Sequence, residues 1–395
     1  MFNFEELVDR RGLYHRSVET RIFEGVEPKD GFSIIPMSIA DMNFKTAPAV
    51  IDEIDKRFKR DVFGYSINSK EFFDSIISWQ KRRHGVNSIE EKNIGYENGV
   101  LGGLSSAATA LLSRGDNILL HRPTYAGFNG ILKNLGFNLI YSDLKIDKEN
   151  VWRMDYEDME KKIVENKIHL FVMCSPHNPT GRVWTRKELE KAYEIFKKHD
   201  VYVVSDEIWS DLILSGKKHI PSQLINEDAK SRTIAFYAPT KGYNLAGLGV
   251  SYHIVYNDFL NDRLLKEESL CHYNLNNVLS EAALIGAYSN DGEAWLDSLI
   301  EVIEGNIHLA VDFFSKIKGV DVIKPEGTYL IYPDFEKYLI NKNISLYDLL
   351  VKCIEHGLLV SDGRIFGGKS TIRMNLAMPR KMLEEALDRF DKYIL

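Results

Sequence analysis

Residues 168–182 read Ile168-His-Leu-Phe-Val-Met-Cys174-Ser-Pro176-His-Asn178-Pro179-Thr-Gly181-Arg182, an almost unbroken apolar run that stops at two prolines and a glycine. A run without alternation predicts a strand covered by helices on both faces, since a half-solvated strand shows a period of two. The carboxyl end of such a strand opens on a ligand crevice in α/β sheets. The prolines and the glycine fix a loop there whose polar side chains can point at a ligand. Taken alone, the loop is a turn.

On either side the pattern repeats. From about residue 90 to residue 255 short β-rich runs alternate with longer helical patterns, which is the form of βαβ units and a mostly parallel sheet. The expected strands besides 168–174 are Asn117–His121, Val201–Ser205, Thr233–Ala238 and Gly249–Val255. Helical spacing over Glu281–Ile317, interrupted only by Gly286, Gly292 and Gly305, predicts a bridge to a C-terminal α+β region. There Gly319–Asp334, Leu358–Asp362 and Ser370–Leu376 look like strands, and Leu346–Glu355 and Lys381–Ile394 like helices.

At 395 residues the chain exceeds one hydrophobic core and suits two unequal domains. Hydrophobic residues at 44% and charged residues at 27% exclude a disordered or fibrous protein. A net charge of −7 disfavours nucleic acid as the main partner, so a small molecule is expected. The opening MFNFEELVDRRG lacks the order of a secretory signal and no apolar run reaches membrane-spanning length, so a cytoplasmic location and no membrane partner are expected. Cys174, Cys271 and Cys353 lie far apart without a C-x-x-C pair, which argues for small core residues and against a disulfide framework or a zinc site.

Several segments carry chemistry. Asp206 and Glu207 follow the strand 201–205 and stand at its crevice end, where a solvated loop or a helix cap is the plain alternative. Metal binding there is disfavoured because no histidine pair has ligand spacing nearby, and no metal is expected. Lys241 sits among small residues in Ala238-Pro-Thr240-Lys241-Gly242, where partial desolvation lowers an amine's pKa and frees it for Schiff-base chemistry. Glu97-Asn-Gly99-Val100-Leu101-Gly102-Gly103 is a glycine-rich turn leading into the helix-prone Ser105–Leu112, a candidate phosphate cradle that fails the dinucleotide fingerprint. Tyr125 follows Pro123-Thr. Arg373 lies inside an apolar strand, where it must pair with a carboxylate of the protein or of a substrate.

In their order and spacing Asn178-Pro, Asp206, Thr240-Lys241 and Arg373 resemble the class I/II aminotransferase superfamily, the PLP fold type I, over nearly the whole chain. Ile39-Ala-Asp41-Met42-Asn43-Phe44, Phe63-Gly64-Tyr65-Ser66, the 175–184 segment and Ser205-Asp-Glu-Ile look most like its MalY/PatB cystathionine β-lyase branch. The resemblance implies an α/β fold whose large domain, 46–285, holds a mixed, mostly parallel sheet between helices. It also implies a smaller α+β domain from residues 1–45 and 286–395.

The implied cofactor is pyridoxal 5′-phosphate. Lys241 would hold it covalently and act as base, Asp206 would keep its ring nitrogen protonated, and Tyr125 would stack on the ring. Asn178 would donate to its phenolic oxygen, while Val100, Leu101 and Thr240 would surround the phosphate. Tyr65 would reach that phosphate from a neighbouring subunit of a homodimer with shared active sites. Arg373, with Asn178 and Tyr65, would bind an amino-acid substrate.

Four positions depart from the pattern: Ala238 and Gly249 replace usual phosphate ligands, Trp209 replaces tyrosine or histidine, and Asn43 replaces aspartate. The residues around Tyr65, Asn43 and Trp209 look suited to a neutral or mixed substrate side chain. The branch implies β-elimination of a cysteine thioether, with an aminotransferase of broad or aromatic range as the alternative. Some members also bind a regulatory protein, for which no motif stands out here.

Overall fold

Apolar strands pack between two helical layers in the segments Thr46–Asn178 and Arg182–Leu296, which form one of two compact units of the computed structural model. The structure describes residues 2–19, 23 and 25–395. The sheet has seven strands in the spatial order Ile94–Glu97, Ser251–Val255, Thr233–Tyr237, Tyr202–Asp206, Leu170–Cys174, Asn117–Arg122, Asn138–Asp143. Ser251–Val255 runs antiparallel to both neighbours and the other pairings are parallel. The sheet is therefore mixed and mostly parallel, as expected, with one antiparallel strand. The strands Ile94–Glu97 and Asn138–Asp143 were not anticipated from the sequence.

Alternation along the strands divides the core. Ile118, Leu120, Leu170, Val172, Val204, Ile234 and Phe236 face one side and meet Leu104, Ala107, Phe128, Leu132 and Leu264. Leu119, Phe171, Met173 and Val203 face the other and meet Met159, Ile163, Leu189 and Phe196. Both faces are covered, which explains why the run at 168–174 shows no polar alternation.

The helix expected from Ser105 begins earlier, at Val100, with Gly99 as its cap at φ 107°. Gly102 and Gly103 thus belong to the helix and not to a turn. A Cβ on Gly103 would stand 2.2 Å from the Phe236 ring, so glycine is needed where the helix presses on the sheet. The predicted 281–317 helix is two, Val278–Ala287 and Asn290–Ser315. Gly292 accounts for the break, because a Cβ there would lie 2.2 Å from the Ala287 carbonyl that ends the first helix.

The second unit comprises Met1–Lys45, Pro179–Gly181 and Asp297–Leu395. Ile35–Pro36 pairs in parallel with Leu358–Leu359, so the amino-terminal segment docks on the carboxyl-terminal one. Ile372–Asn375 lies between Leu330–Ile331 and Ser361–Asp362 in an antiparallel sheet. Of the strand expected over 319–334, Leu330–Ile331 forms and Asp321 bridges Asp334. Pro325 interrupts the rest. Leu346–Glu355 is a helix as expected, and Arg380–Arg389 continues into a π turn at Phe390–Ile394.

Cys174 and Cys353 are buried, but Cys271 is exposed at a helix end and is no core residue. No helix among the described residues is long and apolar enough to cross a membrane.

Gly103→Ala should lower stability by roughly 1–3 kcal/mol, the usual cost of overpacking a close contact. Urea unfolding measures it, and an unchanged midpoint would show that the helix can lift from Phe236 without cost.

Candidate active site

The carboxyl ends of the parallel strands bring together residues that are far apart in the chain. The strand 170–174 ends against 202–206, with Cys174 opposite Asp206, and the Asp206 carbonyl accepts from the Ser175 amide at 3.0 Å. Beyond Cys174 the chain turns so that the Asn178 amide donates to Cys174 Sγ at 3.4 Å. Asn178 is 4% and Asp206 5% exposed, so both are held out of bulk water.

Successive residues of a strand point to opposite faces, and this separates the two carboxylates that adjoin in sequence. Glu207 turns into the protein, where His219 Nε2 lies 2.7 Å away and Ser222 donates through both its amide and its hydroxyl. The charge of His219 and these donors hold Glu207 below the ordinary carboxylate range against its burial. Among the described residues Asp206 has one amide donor to its side chain, Ile208 at 3.0 Å to Oδ1. Burial dominates and pushes it up to about 7, opposed by the Ile208 amide and by the nearby Lys241.

Lys241 is half-buried, and its Nζ stands over the Trp209 ring at 5.6 Å. Trp209 is 2% exposed and lies three residues after Asp206. The ammonium therefore has an aromatic face on one side and the Asp206 charge within range. Thr240 is buried beside it, and Ala238 is part of the apolar core.

Tyr125 is half-buried and packs edge-on against Phe128. Its ring rests on Gly127, where a Cβ would come within 2.4 Å of the ring and 3.1 Å of Leu101. Gly127 thus sets the height of the ring, and only this geometry shows it. The Gly99 amide donates to Ser251 Oγ at 2.9 Å, and the Gly102 and Gly103 amides return to the Gly99 carbonyl. The amides of Val100 and Leu101, between them, head the helix and suit an anion.

Tyr65 is 99% exposed, on a segment where Val62, Phe63 and Ile67 are also exposed. The geometry of this chain alone does not bring Tyr65 to the other site residues.

In the second unit Arg373 is buried. Its Nη2 donates to the Ser38 carbonyl at 2.7 Å and contacts Ser361 Oγ at 3.4 Å, and the guanidinium lies 4.4 Å from the Phe366 ring centre. These three contacts are with a carbonyl, a hydroxyl and an aromatic ring. Asn43 does not fit the substrate-facing role expected of it. Its Oδ1 accepts from Arg10 Nη1 at 3.0 Å and its Nδ2 donates to the Pro36 carbonyl at 3.3 Å, while Arg10 also pairs with Asp41. Asn43 is a buried strut of the amino-terminal segment.

Beneath the site, His121 and His177 are held down to about 4 and about 3 by burial, which keeps both rings uncharged.

Helix-head amides, a half-buried tyrosine, a buried carboxylate and an amine past the carboxyl ends of the strands fit a phosphorylated, cationic aromatic group bound through an aldehyde. The family model for aminotransferase class I and II matches residues 33–390, and the chain belongs to that family. Within it the chain lies near the MalY/PatB branch. Over 364 residues it is 32% identical to cystathionine beta-lyase PatB of Bacillus subtilis (strain 168), covering 90% of this chain and 91% of that one. The PLP-bound C-S lyase structure from Staphylococcus hominis is 29% identical with a TM-score of 0.90, over 100% of this chain and 98% of that one. A PLP-bound structure from Clostridium difficile 630 that carries an aminotransferase name is 36% identical with a TM-score of 0.91, over 100% of both chains.

The raised Asp206 carboxyl has a consequence for the ligand-free protein. A folded pKa above the unfolded one contributes stability at low pH that is lost as pH rises through about 7. Asp206→Asn should therefore remove on the order of 2–4 kcal/mol of pH dependence between about pH 4 and 8. Urea unfolding of the ligand-free protein across that range reads it, and parallel curves for both proteins would refute it.

Proposed function

We propose that the protein is a PLP-dependent carbon–sulfur β-lyase that splits a cysteine thioether, of the cystathionine or cysteine-conjugate class, into a thiol, pyruvate and ammonia. The observation that carries the choice of reaction is the likeness to cystathionine β-lyase PatB along nine-tenths of the chain. The buried Asp206 beside Lys241 supports the choice of cofactor.

When bound, PLP supplies an electron sink for the carbanion formed at the substrate's Cα. The chain's residues do the rest. Lys241 would anchor the cofactor, and its free amine would take the Cα proton as general base. Asp206 would stay ionised opposite a cationic ring nitrogen and hold the proton there. Tyr125 would support the ring and Asn178 would donate to its phenolic oxygen. Val100 and Leu101 would offer amides to the phosphate, with Thr240 beside it. By the resemblance Arg373 would fix the substrate's carboxylate and Asn178 and Tyr65 would also hold the substrate, which would leave the Cβ–S bond free to orient for departure. In that step the electron pair of the bond leaves with sulfur, and water later releases ammonia.

Tyr65 enters this scheme from a second copy of the chain. An exposed run of Val62, Phe63, Tyr65 and Ile67 is the kind of apolar surface that a partner subunit covers.

The aminotransferase reading has its own support in the name of the Clostridium difficile relative. The holoenzyme with L-cystathionine should release pyruvate and ammonia in equal amounts, measured by coupled assay. Glutamate from 2-oxoglutarate, with a keto acid that still carries its sulfur, would instead establish transamination. Arg373→Leu should lower kcat/KM for amino acids roughly 150- to 5000-fold, from the roughly 3–5 kcal/mol of a desolvated charge-assisted pair. Cofactor content, read from the visible band, should hold. Loss of cofactor at unchanged amino-acid kinetics would reverse the assignment.

A further inference from the structure

Three side chains meet in the sheet unit behind the helix that begins at Val100. Glu97 ends its strand two residues before Gly99, His253 comes from the adjacent antiparallel strand, and Glu268 from the helix Asp258–Cys271. Their side chains are 0%, 1% and 7% exposed. His253 Nδ1 is 2.8 Å from Glu97 Oε1 and 3.8 Å from Glu268 Oε1. One ring nitrogen and two carboxylate oxygens thus lie within 4.8 Å of one another.

The outer contacts leave these atoms free to converge. Glu97 Oε2 accepts from the Tyr273 hydroxyl and from Asn274 Nδ2 at 2.8 Å, which orients the carboxylate and leaves Oε1 facing the cluster. Such hydrogen bonds to the far oxygen are what ligating carboxylates use. Glu268 Oε1 has no hydrogen-bond partner among the described residues. His253 Nε2 faces Gly95, where a Cβ would lie 2.3 Å away, so Nδ1 is the nitrogen turned to the carboxylates.

No lysine or arginine among the described residues pairs with either acid. Two carboxylates kept from water without a cation cost several kcal/mol each, so a positive charge belongs between them. The spacing suits a metal. With bonds of about 2.0–2.2 Å, ligands at right angles stand about 3 Å apart and those near 130° about 3.8 Å.

We propose that Glu97, His253 and Glu268 bind one divalent transition-metal ion, of the Zn2+ or Mn2+ class, at a structural site separate from the cofactor. One imidazole with two carboxylates is a donor set for such ions. The ion ties two strands and a helix together directly behind the Val100 and Leu101 amides. The rival occupant is a proton, since burial raises both carboxyl groups, Glu268 to about 9.

Elemental analysis decides between them. The holoenzyme, produced without an affinity tag in media supplemented with Zn2+, Mn2+ or Co2+ and then dialysed against a weak chelator, should retain close to one equivalent per chain of one of these ions. Glu268→Gln, nearly isosteric, should retain less than a tenth of that with its PLP content kept. If that variant does not fold, His253→Gln is read in its place. Wild-type protein below a tenth of an equivalent with every ion overturns the proposal in favour of the proton. Equal retention by wild type and variant overturns it too, because the metal is then bound elsewhere.

Discussion

A carboxylate kept from water is stable only beside a positive charge, and Asp206 is placed where the protein gives it little of one. Its neighbour Glu207 has a histidine and a serine that donates twice, whereas Asp206 has one backbone amide and a lysine in range. The strand 202–206 lies in the middle of the sheet, between 170–174 and 233–237, and each of those strands carries another part of the site past its end. Asn178, Asp206 and Lys241 come together because three neighbouring parallel strands stop at one level. The unmet electrostatic demand of Asp206 is what the proposed function would use to recognise a cationic ring.

Much of this was legible in the sequence because it depends on local pattern. The five strands read from apolar runs are all present, with ends moved by one or two residues, and the site loops follow them as expected. What could not be read depends on packing. Ile94–Glu97 is a short run with a glycine and two polar residues, yet it pairs with Ser251–Val255 because Gly95 leaves room for the His253 ring. The glycines at 102 and 103 looked like a turn, since glycine in a sequence announces backbone freedom and says nothing of a phenylalanine pressed against it.

The same limit applies at Asn43 and Glu207. Each sits in a motif that suggests contact with a ligand, and each is committed to the protein's own interior. A motif marks which residues are constrained. Whether the constraint comes from the ligand or from the fold depends on which way the side chain points, and for neither residue does the motif itself say. Gly127 is the converse case, a residue outside every motif that supports the tyrosine ring.

The thiols differ in a way that matters for handling the molecule. Burial, with the Asp206 charge nearby, raises the Cys174 thiol, and burial raises that of Cys353, so neither offers a thiolate to an alkylating reagent in the folded state. Cys271 lies at the surface, at the last turn of the helix that carries Glu268. Its thiol is raised too, by partial burial and by Glu267, so exposure and not acidity makes it the one place where a maleimide dye or spin label reacts without any cysteine being engineered away. That label reports on a helix end three residues from Glu268 and next to the Tyr273–Asn274 pair that grips Glu97, giving a spectroscopic view of the packing behind the helix that begins at Val100.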